Sequence, residues 1–396
     1  MTATTIQLVL GLGFGDEGKG TLVDHLARRA ASPPLVIRWN GGPQAAHHVV
    51  TDDGRTHCFA QLGSASFVAG ARTHLGPEMA VDLYALHVEA AAFGDGVLAR
   101  TTLDPRCVLV TPWHAILGRV REALRGPARH GSTGRGVAEA KLGPHLVAGD
   151  LRTGFAARLG ELRAQLRACA VALVGDVRCE EALALIDRGD EPDLLDAFLD
   201  AVARPVAIAP RPPTADHVIL ESAQGALLDR DHGFFPHVTP SRITRAAAER
   251  AARDLGLAGP LEVWGVLRAY HTRHGEGPFP SEAPALATSL PERHNREDGP
   301  AGRFRVGWFD AVLARHALAF AGPIDRLAIT CLDRVAALPR RAIVDAWRGT
   351  GRVDTASATA AVPIVRPVDD LAAAIEHALG RAIDLQSWGP TASAKR

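Results

Sequence analysis

The chain has 396 residues, of which 47% are hydrophobic and 22% are charged, and 44 basic side chains balance 44 acidic ones. This composition is typical of a folded globular protein and excludes the disordered, collagen-like and coiled-coil classes. A net charge of zero argues against a nucleic-acid-binding protein, whose phosphate contacts need a basic excess. No apolar run approaches the ~18 residues that span a bilayer, and no signal peptide is recognisable, so we expect no membrane association.

Cysteine and lysine usage adds two expectations. The cysteines are odd in number and scattered, with no C-x-x-C pair, which predicts reduced thiols in a cytoplasmic protein rather than disulfides or a zinc site. They are Cys58, Cys107, Cys169, Cys179 and Cys331. Only Lys19, Lys141 and Lys395 are lysines. A lysine kept inside a glycine-rich loop of such a chain is therefore a candidate functional residue.

Short apolar runs alternate with helical patterns along the whole chain. The predicted strands are Ile6–Leu12, Leu35–Trp39, Val108–Thr111, His217–Leu220, Leu261–Leu267 and Leu327–Thr330. The predicted helices are Thr21–Ala31, Val81–Ala92, His114–Leu124, Leu159–Ala168, Ala246–Leu255, Trp308–Phe320 and Asp369–Leu379. This alternation predicts an α/β fold with a mainly parallel central sheet flanked by helices, and no stretch reads as a linker between domains. Such sheets bind ligands beyond the carboxyl ends of their strands.

A glycine-rich loop, Gly11–Thr21, follows the first predicted strand and opens a helix. Glycines let backbone N–H groups point at an anion, and Gly13–Lys19 nearly satisfies the phosphate-loop pattern. The pattern fails where Gly20 replaces the usual serine or threonine. Asp16 and Glu17 place two carboxylates where phosphate should bind, so we predict that Asp16 is a magnesium ligand, a general base, or both. The alternative is a strand–turn–helix joint with solvated acids.

A second polar cluster, Asn40–His48, follows the strand that ends at Trp39. Two glycines, the Gln44 amide and the His47 and His48 imidazoles suit a site that needs hydrogen bonds and a proton donor. The alternative is an ordinary surface loop, since loop histidines are commonly exposed.

A third cluster, Glu221–Thr239, begins at the end of another strand. Asp229, Asp231 and His232 could hold a metal ion, and they could equally form a salt-bridged turn. The sequence leaves both interpretations open.

The fourth cluster spans Arg268–Pro280 and continues at Gly302–Trp308. Arginines flanked by glycine and proline fit clamps for a carboxylate or phosphate. In an arginine-rich chain, the alternative for each of them is a surface position.

Together and in this order, the clusters resemble the adenylosuccinate synthetase family. The segments that carry the resemblance are Gly15–Gly20, Gly41–His48, Ser132–Gly136, Glu221–Gly233, Arg268–Pro280 and Gly307–Asp310. The resemblance covers the chain from about residue 6 to Pro390. It implies a single domain over residues 1–396 with a fold like that of P-loop NTPases, and a cytoplasmic homodimer. The implied activity is a ligase reaction that joins L-aspartate to IMP with GTP hydrolysis.

The resemblance also implies a mechanism through 6-phosphoryl-IMP. Asp16 would take the N1 proton of IMP, and His47 would act as an acid toward the γ-phosphate. Gln224 would stabilise the charge that develops at position 6, and Lys19 would bind phosphates. Mg²⁺ would be held by Asp16, by the phosphates and by the carbonyl of Ala46.

Further binding residues follow from the same resemblance. Those implied for GTP are Gly15, Asp16, Glu17, Gly18, Lys19, Gly20, Thr21, Ala46, His47, His48, Arg305, Cys331, Leu332, Asp333, Ser387, Trp388 and Gly389. Those implied for IMP are Asp16, Gln44, Ala45, Thr133, Gln224, Thr239 and Arg303, of which Thr133 and Thr239 would take the 5′-phosphate. Those implied for the amino acid are Gly302, Arg303 and Arg305.

The chain departs from the family at the base of the phosphoryl donor. Asp333 keeps the acceptor for the guanine edge, but Cys331 stands where the family has a lysine. Trp388 lies in the C-terminal motif, and its indole could replace the lysine stem by stacking. GTP is the expected donor, and ATP is the alternative.

Other departures concern the remaining substrates. The loop Asp298–Gly302 lacks the family's threonines, so the amino acid accepted could differ from L-aspartate. Gln44 and Ala46 change the wall near the base. The segment Val137–Asp150 lacks the arginine that the family supplies across its dimer interface, and Lys141 could substitute for it.

Three hypotheses follow for the activity. The first is the ligase reaction on IMP and L-aspartate. The second is the same chemistry on another 6-oxopurine nucleotide or with another amino acid, in a divergent paralogue. The third is a non-catalytic nucleotide-binding protein, against which the retention of Asp16 and His47 argues.

Overall fold

The computed structural model describes residues 4–94, 96–128, 130–152, 154–174, 192–204, 206–291, 302–349 and 351–396. The strands are β1 (Thr5–Gly11), β2 (Leu35–Arg38), β3 (His47–Val50), β4 (Thr56–Phe59), β5 (Arg72–Leu75), β6 (Ala80–Val81), β7 (Thr101–Leu103), β8 (Val108–Leu109), β9 (Leu146–Val147), β10 (Ala207–Ile208), β11 (His217–Glu221), β12 (Leu261–Arg268), β13 (His271–His274), β14 (Phe304–Gly307), β15 (Phe309–Asp310), β16 (Arg326–Thr330), β17 (Arg341–Arg348), β18 (Val362–Val368) and β19 (Leu385–Gln386). The helices are α1 (Lys19–Arg29), α2 (Leu83–Ala91), α3 (Pro112–Arg125), α4 (Val137–Leu142), α5 (Phe155–Val174), α6 (Pro192–Ala203), α7 (Arg245–Asp254), α8 (Ala285–Ser289), α9 (Ala311–Ala321), α10 (Leu332–Ala336), α11 (Thr355–Ala360) and α12 (Leu371–Leu379).

A nine-stranded sheet forms the centre of the fold, in the order β10-β7-β5-β2-β11-β1-β12-β16-β19. All of its neighbouring strands pair in parallel. Strand β1, which lies beside the middle strand β11, is buried from Ile6 to Gly11, because both faces of a parallel sheet are covered. Its alternate side chains belong to two different core clusters, with Leu8 and Leu10 in one and Val9 in the other. The prediction of an α/β fold with a mainly parallel sheet is confirmed.

Most of the predicted strands lie in this sheet within two residues of their expected bounds. The prediction of a longer strand over Val108–Thr111 is wrong, because the strand consists of Val108 and Leu109 alone. They pair with β6 and β9 in a separate three-stranded sheet. The chain leaves that strand early because Thr111 is already the N-cap of helix α3.

Among the helices, the one predicted from Trp308 begins later. Phe309 and Asp310 form β15, and the Asp310 carboxylate accepts hydrogen bonds from the N–H groups of Val312 and Leu313. An aspartate in this position is a strong helix N-cap, which fixes the start of α9 at Ala311. The helix expected over Leu159–Ala168 is longer at both ends, and α6 was not predicted. Among the helices that the structure describes, none combines the length and apolarity that a membrane crossing needs.

Helix α1 begins directly at the glycine-rich loop, with Gly18 as its N-cap in the left-handed region (φ 84°). The next turn is crowded by strand β3. A Cβ atom at Gly20 would lie 2.8 Å from the Cβ of His47, so the helix can approach His47 this closely only because residue 20 has no side chain. The loop, the helix N-terminus and His47 are thereby held together at one edge of the sheet.

The N-terminus of α3 carries a capping box in which a histidine takes the usual place of glutamate. His114 Nδ1 accepts a hydrogen bond from the Thr111 N–H (3.1 Å), and its Nε2 donates to the Pro144 carbonyl oxygen (2.9 Å). The imidazole must therefore be neutral for Nδ1 to accept. Burial lowers the pKa of His114 to about 4, which keeps it neutral at physiological pH.

We therefore expect His114→Gln to reduce the acid sensitivity of the fold. The pKa of this imidazole is lower in the folded than in the unfolded chain, so its contribution to stability is complete above pH 6.5 and is lost as the pH falls toward 4. Glutamine can accept the same bond without titrating. Relative to wild type, the variant should lose about 2 kcal/mol less stability between pH 7 and pH 5 in urea unfolding. An equal loss of stability in both proteins between pH 7 and pH 5 would contradict the assignment of His114 as a neutral hydrogen-bond acceptor.

Candidate active site

A cavity of about 1540 Å³ lies beyond the carboxyl ends of β2, β11, β1, β12 and β16, which are neighbours in the central sheet. Each of these strands delivers the loop that follows it to the cavity wall. The sequence-predicted residues that line the cavity are Gly15, Asp16, Gly18, Lys19, Gly20, Thr21, Gln44, Ala45, Ala46, His47, His48, Thr133, Gln224, Thr239, Cys331, Asp333, Ser387 and Gly389. Those outside its wall are Glu17, Leu332, Trp388, Gly302, Arg303 and Arg305.

The carboxylate of Glu17 is an internal brace of the glycine-rich loop. Its Oε1 accepts hydrogen bonds from the N–H groups of Gly13 and Gly15 (both 2.9 Å), and its Oε2 is 2.6 Å from Lys19 Nζ. Glu17 is buried, so the alternative of solvated acids in this loop is wrong for this residue. A Cβ atom at Gly225 would collide with Glu17 Oε1, which fixes the position of the brace from the other side.

Asp16 sits at the turn of the loop with a positive φ of 59°. Aspartate and asparagine enter this left-handed region more readily than other residues with side chains. The guanidinium of Arg268 donates from Nη1 to the Asp16 carbonyl oxygen (3.2 Å), which holds the turn from strand β12. The two acids of the loop therefore differ, since Asp16 lines the cavity and Glu17 does not.

His47 forms a buried pair with Glu221, which lies at the end of strand β11. The distance from His47 Nδ1 to Glu221 Oε1 is 2.5 Å, and the same carboxylate accepts bonds from the N–H (3.0 Å) and the hydroxyl of Ser64. A carboxylate only accepts, so Nδ1 carries the proton and Nε2 is the free ring nitrogen. The arrangement orients one nitrogen of His47 while the residue lines the cavity.

Electrostatics define the charge of this pair. Burial opposes the ionisation of Glu221, but the guanidinium of Arg38 and the His47 ring outweigh it and lower the pKa of Glu221 to about 2. Arg38 is fully buried and is the register neighbour of Glu221 on strand β2. Burial, assisted by Arg38, lowers the pKa of His47 to about 4 against the opposing effect of Glu221. The pair is therefore a carboxylate and a neutral imidazole.

Two glutamine amides in the cavity have polar atoms that are buried without a hydrogen-bond partner in the described part of the chain. They are both amide atoms of Gln224 and the Oε1 atom of Gln44. Gln224 also adopts a positive φ of 57°. Because buried polar groups without partners cost free energy, such atoms are expected where a ligand supplies the missing partners.

Arg303 and Arg305 converge on Glu282 rather than on the cavity wall. Arg303 Nη2 is 3.0 Å from Glu282 Oε1, and Arg305 Nε is 2.9 Å from Glu282 Oε2. Arg305 also donates from Nη1 to the carbonyl oxygens of Gly275 (3.2 Å) and Gly277 (2.8 Å). Of the preceding loop Asp298–Gly302, only Gly302 lies within the described residues.

The metal interpretation of the third cluster is wrong. Asp229 Oδ1 accepts from the N–H groups of Asp231 and His232 and from His232 Nδ1, and Oδ2 accepts from the Ile243 N–H. The cluster is therefore a hydrogen-bonded turn. Within the described ranges, no group of three or more His, Cys, Asp or Glu side chains is arranged to hold a metal ion.

Trp388 and Lys141, which the sequence offers as substitutes for a lysine and an arginine of the family, do not line the cavity. Trp388 is outside the cavity wall, and its indole N–H donates to Gln386 Oε1 (3.1 Å). Lys141 donates to the hydroxyl of Ser241 (3.3 Å) and does not line the cavity. Burial lowers the pKa of Lys141 to about 8. Neither side chain reaches the cavity in this structure.

The arrangement of loop, histidine and carboxylates is accompanied by a sequence match over nearly the whole chain. Residues 8–371 match the family model of adenylosuccinate synthetase. The chain belongs to the adenylosuccinate synthetase family.

Curated relatives agree with this membership. An adenylosuccinate synthetase from Methylococcus capsulatus is 35% identical over 364 residues, which cover 88% of this chain and 82% of the relative. One from Chromohalobacter salexigens is 33% identical over 400 residues, covering 94% and 88% of the two chains.

Solved structures share the adenylosuccinate synthetase fold with this chain. The fully ligated adenylosuccinate synthetase of Plasmodium falciparum superposes with a TM-score of 0.78 at 22% identity, covering 99% of both chains. The succinoaminodeoxyadenylate synthetase of cyanophage S-2L, bound to dGMP and to dATP as an energy donor, gives a TM-score of 0.61 at 20% identity and covers 100% of this chain and 95% of that one.

Sequence reasoning missed the residues that support His47. Glu221 opens the third polar cluster without a predicted role, although a carboxylate at the end of a buried strand is a usable signal. Ser64 and Arg38 gave no such signal, because their contacts to Glu221 depend on how three separate loops and strands meet.

Proposed function

We propose that the chain is a carbon–nitrogen ligase that forms adenylosuccinate from IMP and L-aspartate with hydrolysis of GTP. The observation that carries the proposal is that Asp16, Lys19, Gln224 and the His47–Glu221 pair meet around one cavity. A phosphate loop alone would suit any nucleotide-binding protein. A carboxylate inside that loop and a carboxylate-oriented imidazole beside it suit proton transfer during phosphoryl transfer.

In the first step, Asp16 accepts the N1 proton of IMP, and the 6-oxygen of the base attacks the γ-phosphorus of GTP. The bond from that phosphorus to the β,γ-bridging oxygen breaks, so that GDP and 6-phosphoryl-IMP are formed. The Gln224 amide hydrogen-bonds to the 6-oxygen as its charge changes. Its buried, unpartnered atoms support this role.

His47 contributes through the ring nitrogen that Glu221 leaves free. In the protein without ligand the imidazole is neutral. The negative charge of a bound triphosphate favours the imidazolium, and the Glu221 carboxylate stabilises it from the opposite side. His47 Nε2 then donates to an oxygen of the transferring phosphoryl group, where negative charge develops.

The phosphate-binding elements of the chain are the loop and Lys19, and Mg²⁺ would join them. One carboxylate from Asp16 and the carbonyl of Ala46, both on the cavity, form a donor set that suits Mg²⁺, which commonly takes one or two protein oxygens together with phosphate oxygens. When bound, the ion would offset the charge of the phosphates. Lys19 is 2.6 Å from Glu17 and thus keeps its ammonium at the loop.

In the second step, the neutral amine of L-aspartate attacks C6, the bond from C6 to the phosphorylated oxygen breaks, and inorganic phosphate leaves with the proton that the amine gives up. Arg303 is the candidate for the substrate carboxylate, together with Arg305 and the Gly302 backbone. The Arg303 side chain is 66% exposed, so its ion pair with Glu282 is worth little and a substrate carboxylate can compete for it. Asp333, on the cavity wall, is the proposed acceptor for the guanine edge of GTP.

We further propose that residues 1–396 form one domain around the nine-stranded sheet and that the active form is a homodimer. The proposal of one domain is supported by a single sheet that draws strands from Thr5 to Gln386. The homodimer is an expectation from family membership.

The proposed function is tested by incubating the protein with Mg²⁺, a phosphoryl donor, a purine nucleotide and an amino acid. GTP and ATP, IMP and GMP, and L-aspartate against a panel of amino acids are combined in turn. We expect phosphate release and a product of adenylosuccinate mass only when IMP, L-aspartate and a donor are all present, with GTP preferred to ATP. Release only with another nucleotide or amino acid would contradict the proposed substrates, and no release with any combination would contradict catalysis.

A further inference from the structure

Two histidines lie side by side on the cavity wall. The ring centroids of His130 and His237 are 6.2 Å apart and the ring planes are inclined by 71°. Both residues line the cavity. His130 precedes Thr133 by three residues and His237 precedes Thr239 by two, so the rings stand where the two threonine loops meet.

The hydrogen bonding of His237 determines which of its nitrogens can act on a ligand. Its Nδ1 lies 3.4 Å from the carbonyl oxygen of His130, in a weak hydrogen bond that joins the two loops. A carbonyl oxygen only accepts, so Nδ1 carries a proton. Nε2 is therefore the nitrogen of His237 that gains or loses a proton.

Three of the arginines that line the cavity have a carboxylate within ion-pair distance. These carboxylates offset part of their charge before any ligand binds, although Asp231 is shared between Arg230 and Arg242. The pairs are Arg121–Glu139, Arg125–Glu122 and Arg230–Asp231. Arg273 is buried and donates to three backbone carbonyl groups, which leaves it committed to the fold.

The backbone N–H groups that precede Thr133 are committed as well. Glu122 Oε2 accepts from the N–H groups of His130 (3.0 Å), Gly131 (3.1 Å) and Ser132 (3.4 Å). Successive N–H groups of this kind often bind phosphate, but here an internal carboxylate occupies them. A positive charge beside Thr133 and Thr239 would therefore strengthen the binding of a phosphate dianion at these two residues.

We propose that His130 and His237 bind the 5′-phosphate of the purine nucleotide and take up a proton when it binds. The proposal rests on the proposed function, because the phosphate is that of its nucleotide substrate. Thr133 and Thr239 supply neutral hydroxyl groups, and the two imidazoles become positively charged when the phosphate binds. Affinity for the nucleotide is thereby coupled to pH, whereas affinity for the corresponding nucleoside is not.

The surroundings of both rings support this coupling. The charged and titratable groups around His130 are Arg125, Glu122 and His237, and those around His237 are Arg273, Glu276, Arg305 and His130. Burial, with help from the neighbouring arginines, lowers the pKa of both histidines, so both rings are neutral at physiological pH. A phosphate dianion raises the pKa of an imidazole beside it. Binding therefore takes up protons, and affinity falls as the pH rises.

The experiment measures IMP binding by calorimetry in buffers of different ionisation enthalpy, which gives the number of protons taken up. The variants are His130→Gln, His237→Gln and the double variant, because glutamine keeps a hydrogen-bonding group but cannot be protonated. His274→Gln is the matched control, since His274 lines the same cavity but bonds to the Gly302 carbonyl oxygen. Inosine, which lacks the phosphate, is the second probe.

We expect wild type and His274→Gln to take up protons on binding IMP and to bind it more weakly at higher pH. The double variant should bind IMP about tenfold more weakly near pH 7, with most of the proton uptake lost and inosine affinity unchanged. Unchanged proton uptake in the double variant would overturn the proposal, and so would an equal loss of IMP and inosine affinity. These results differ from a failure of the proposed function, which would appear as no IMP-dependent phosphate release by the wild type.

Discussion

Asp16→Asn should lower kcat by about 10³-fold while GTP still binds. The substitution removes the basicity of the carboxylate but keeps its size and shape. Asparagine also tolerates the left-handed backbone that Asp16 adopts, with φ at 59°, so the loop should keep its conformation. Alanine would add backbone strain at this position and would confuse the loss of a base with a distorted loop.

The measurement for Asp16→Asn is single-turnover phosphate release at saturating Mg²⁺, with GTP affinity determined separately by calorimetry. Asp231→Asn is a suitable control, because Asp231 lines the same cavity but pairs with Arg242 at the surface. The control should retain the wild-type rate. An Asp16→Asn enzyme within about tenfold of the wild-type kcat would remove Asp16 from its role as the base, since general bases contribute about 10²-fold or more.

Glu221→Gln should lower kcat by about 10²-fold or more and shift its pH dependence. Glu221 opposes the effects that lower the pKa of His47, so a neutral amide lets that pKa fall further. His47 acts as an acid only when protonated, and its activity declines as the pH rises through its pKa in the complex. The basic limb of the kcat profile should therefore move to lower pH in the variant.

The control for Glu221→Gln is Ser64→Ala, which removes one hydrogen bond to the carboxylate but keeps its charge and its contact with His47. The limb should stay in place in this control. Glu221→Gln also leaves the buried Arg38 without its neighbouring charge, and we expect about 3 kcal/mol lower stability, so rates are compared well below the melting transition. A uniform loss of activity at every pH would mean that Glu221 is only structural.

The sheet was predictable from sequence wherever a strand carried its own signal. Strand β1, with six consecutive buried positions, is recognisable because both faces of a parallel strand are covered. Strands β5 and β7 were not predicted, since the four residues Arg72–Leu75 and the three residues Thr101–Leu103 are short and largely polar. Such segments become strands because they form hydrogen bonds with neighbouring strands of the sheet. The local sequence pattern does not reveal this pairing.

The candidate site, like the sheet, was predictable only where its residues form local sequence features. The glycine-rich loop and the cluster around His47 are local features, and the cavity brings them together as expected. The pairing of His47 with Glu221 joins residues 174 positions apart, and the pairing of Arg305 with Glu282 depends on how a loop returns to strand β14. Spacing along the chain carries no information on such contacts, so sequence identified the candidate residues but not their partners.

The close contact between Gly20 and His47 has a consequence for the departure of this loop from the common phosphate-binding motif. Most proteins with such a loop place a hydroxyl-bearing residue at this position to coordinate a cation. Here any side chain would strike the Cβ of His47, 2.8 Å away. The loop can thus carry either the hydroxyl group that is typical of P-loop NTPases at residue 20 or the imidazole of His47 packed against the helix. A design that restores the common motif would displace the histidine from its carboxylate.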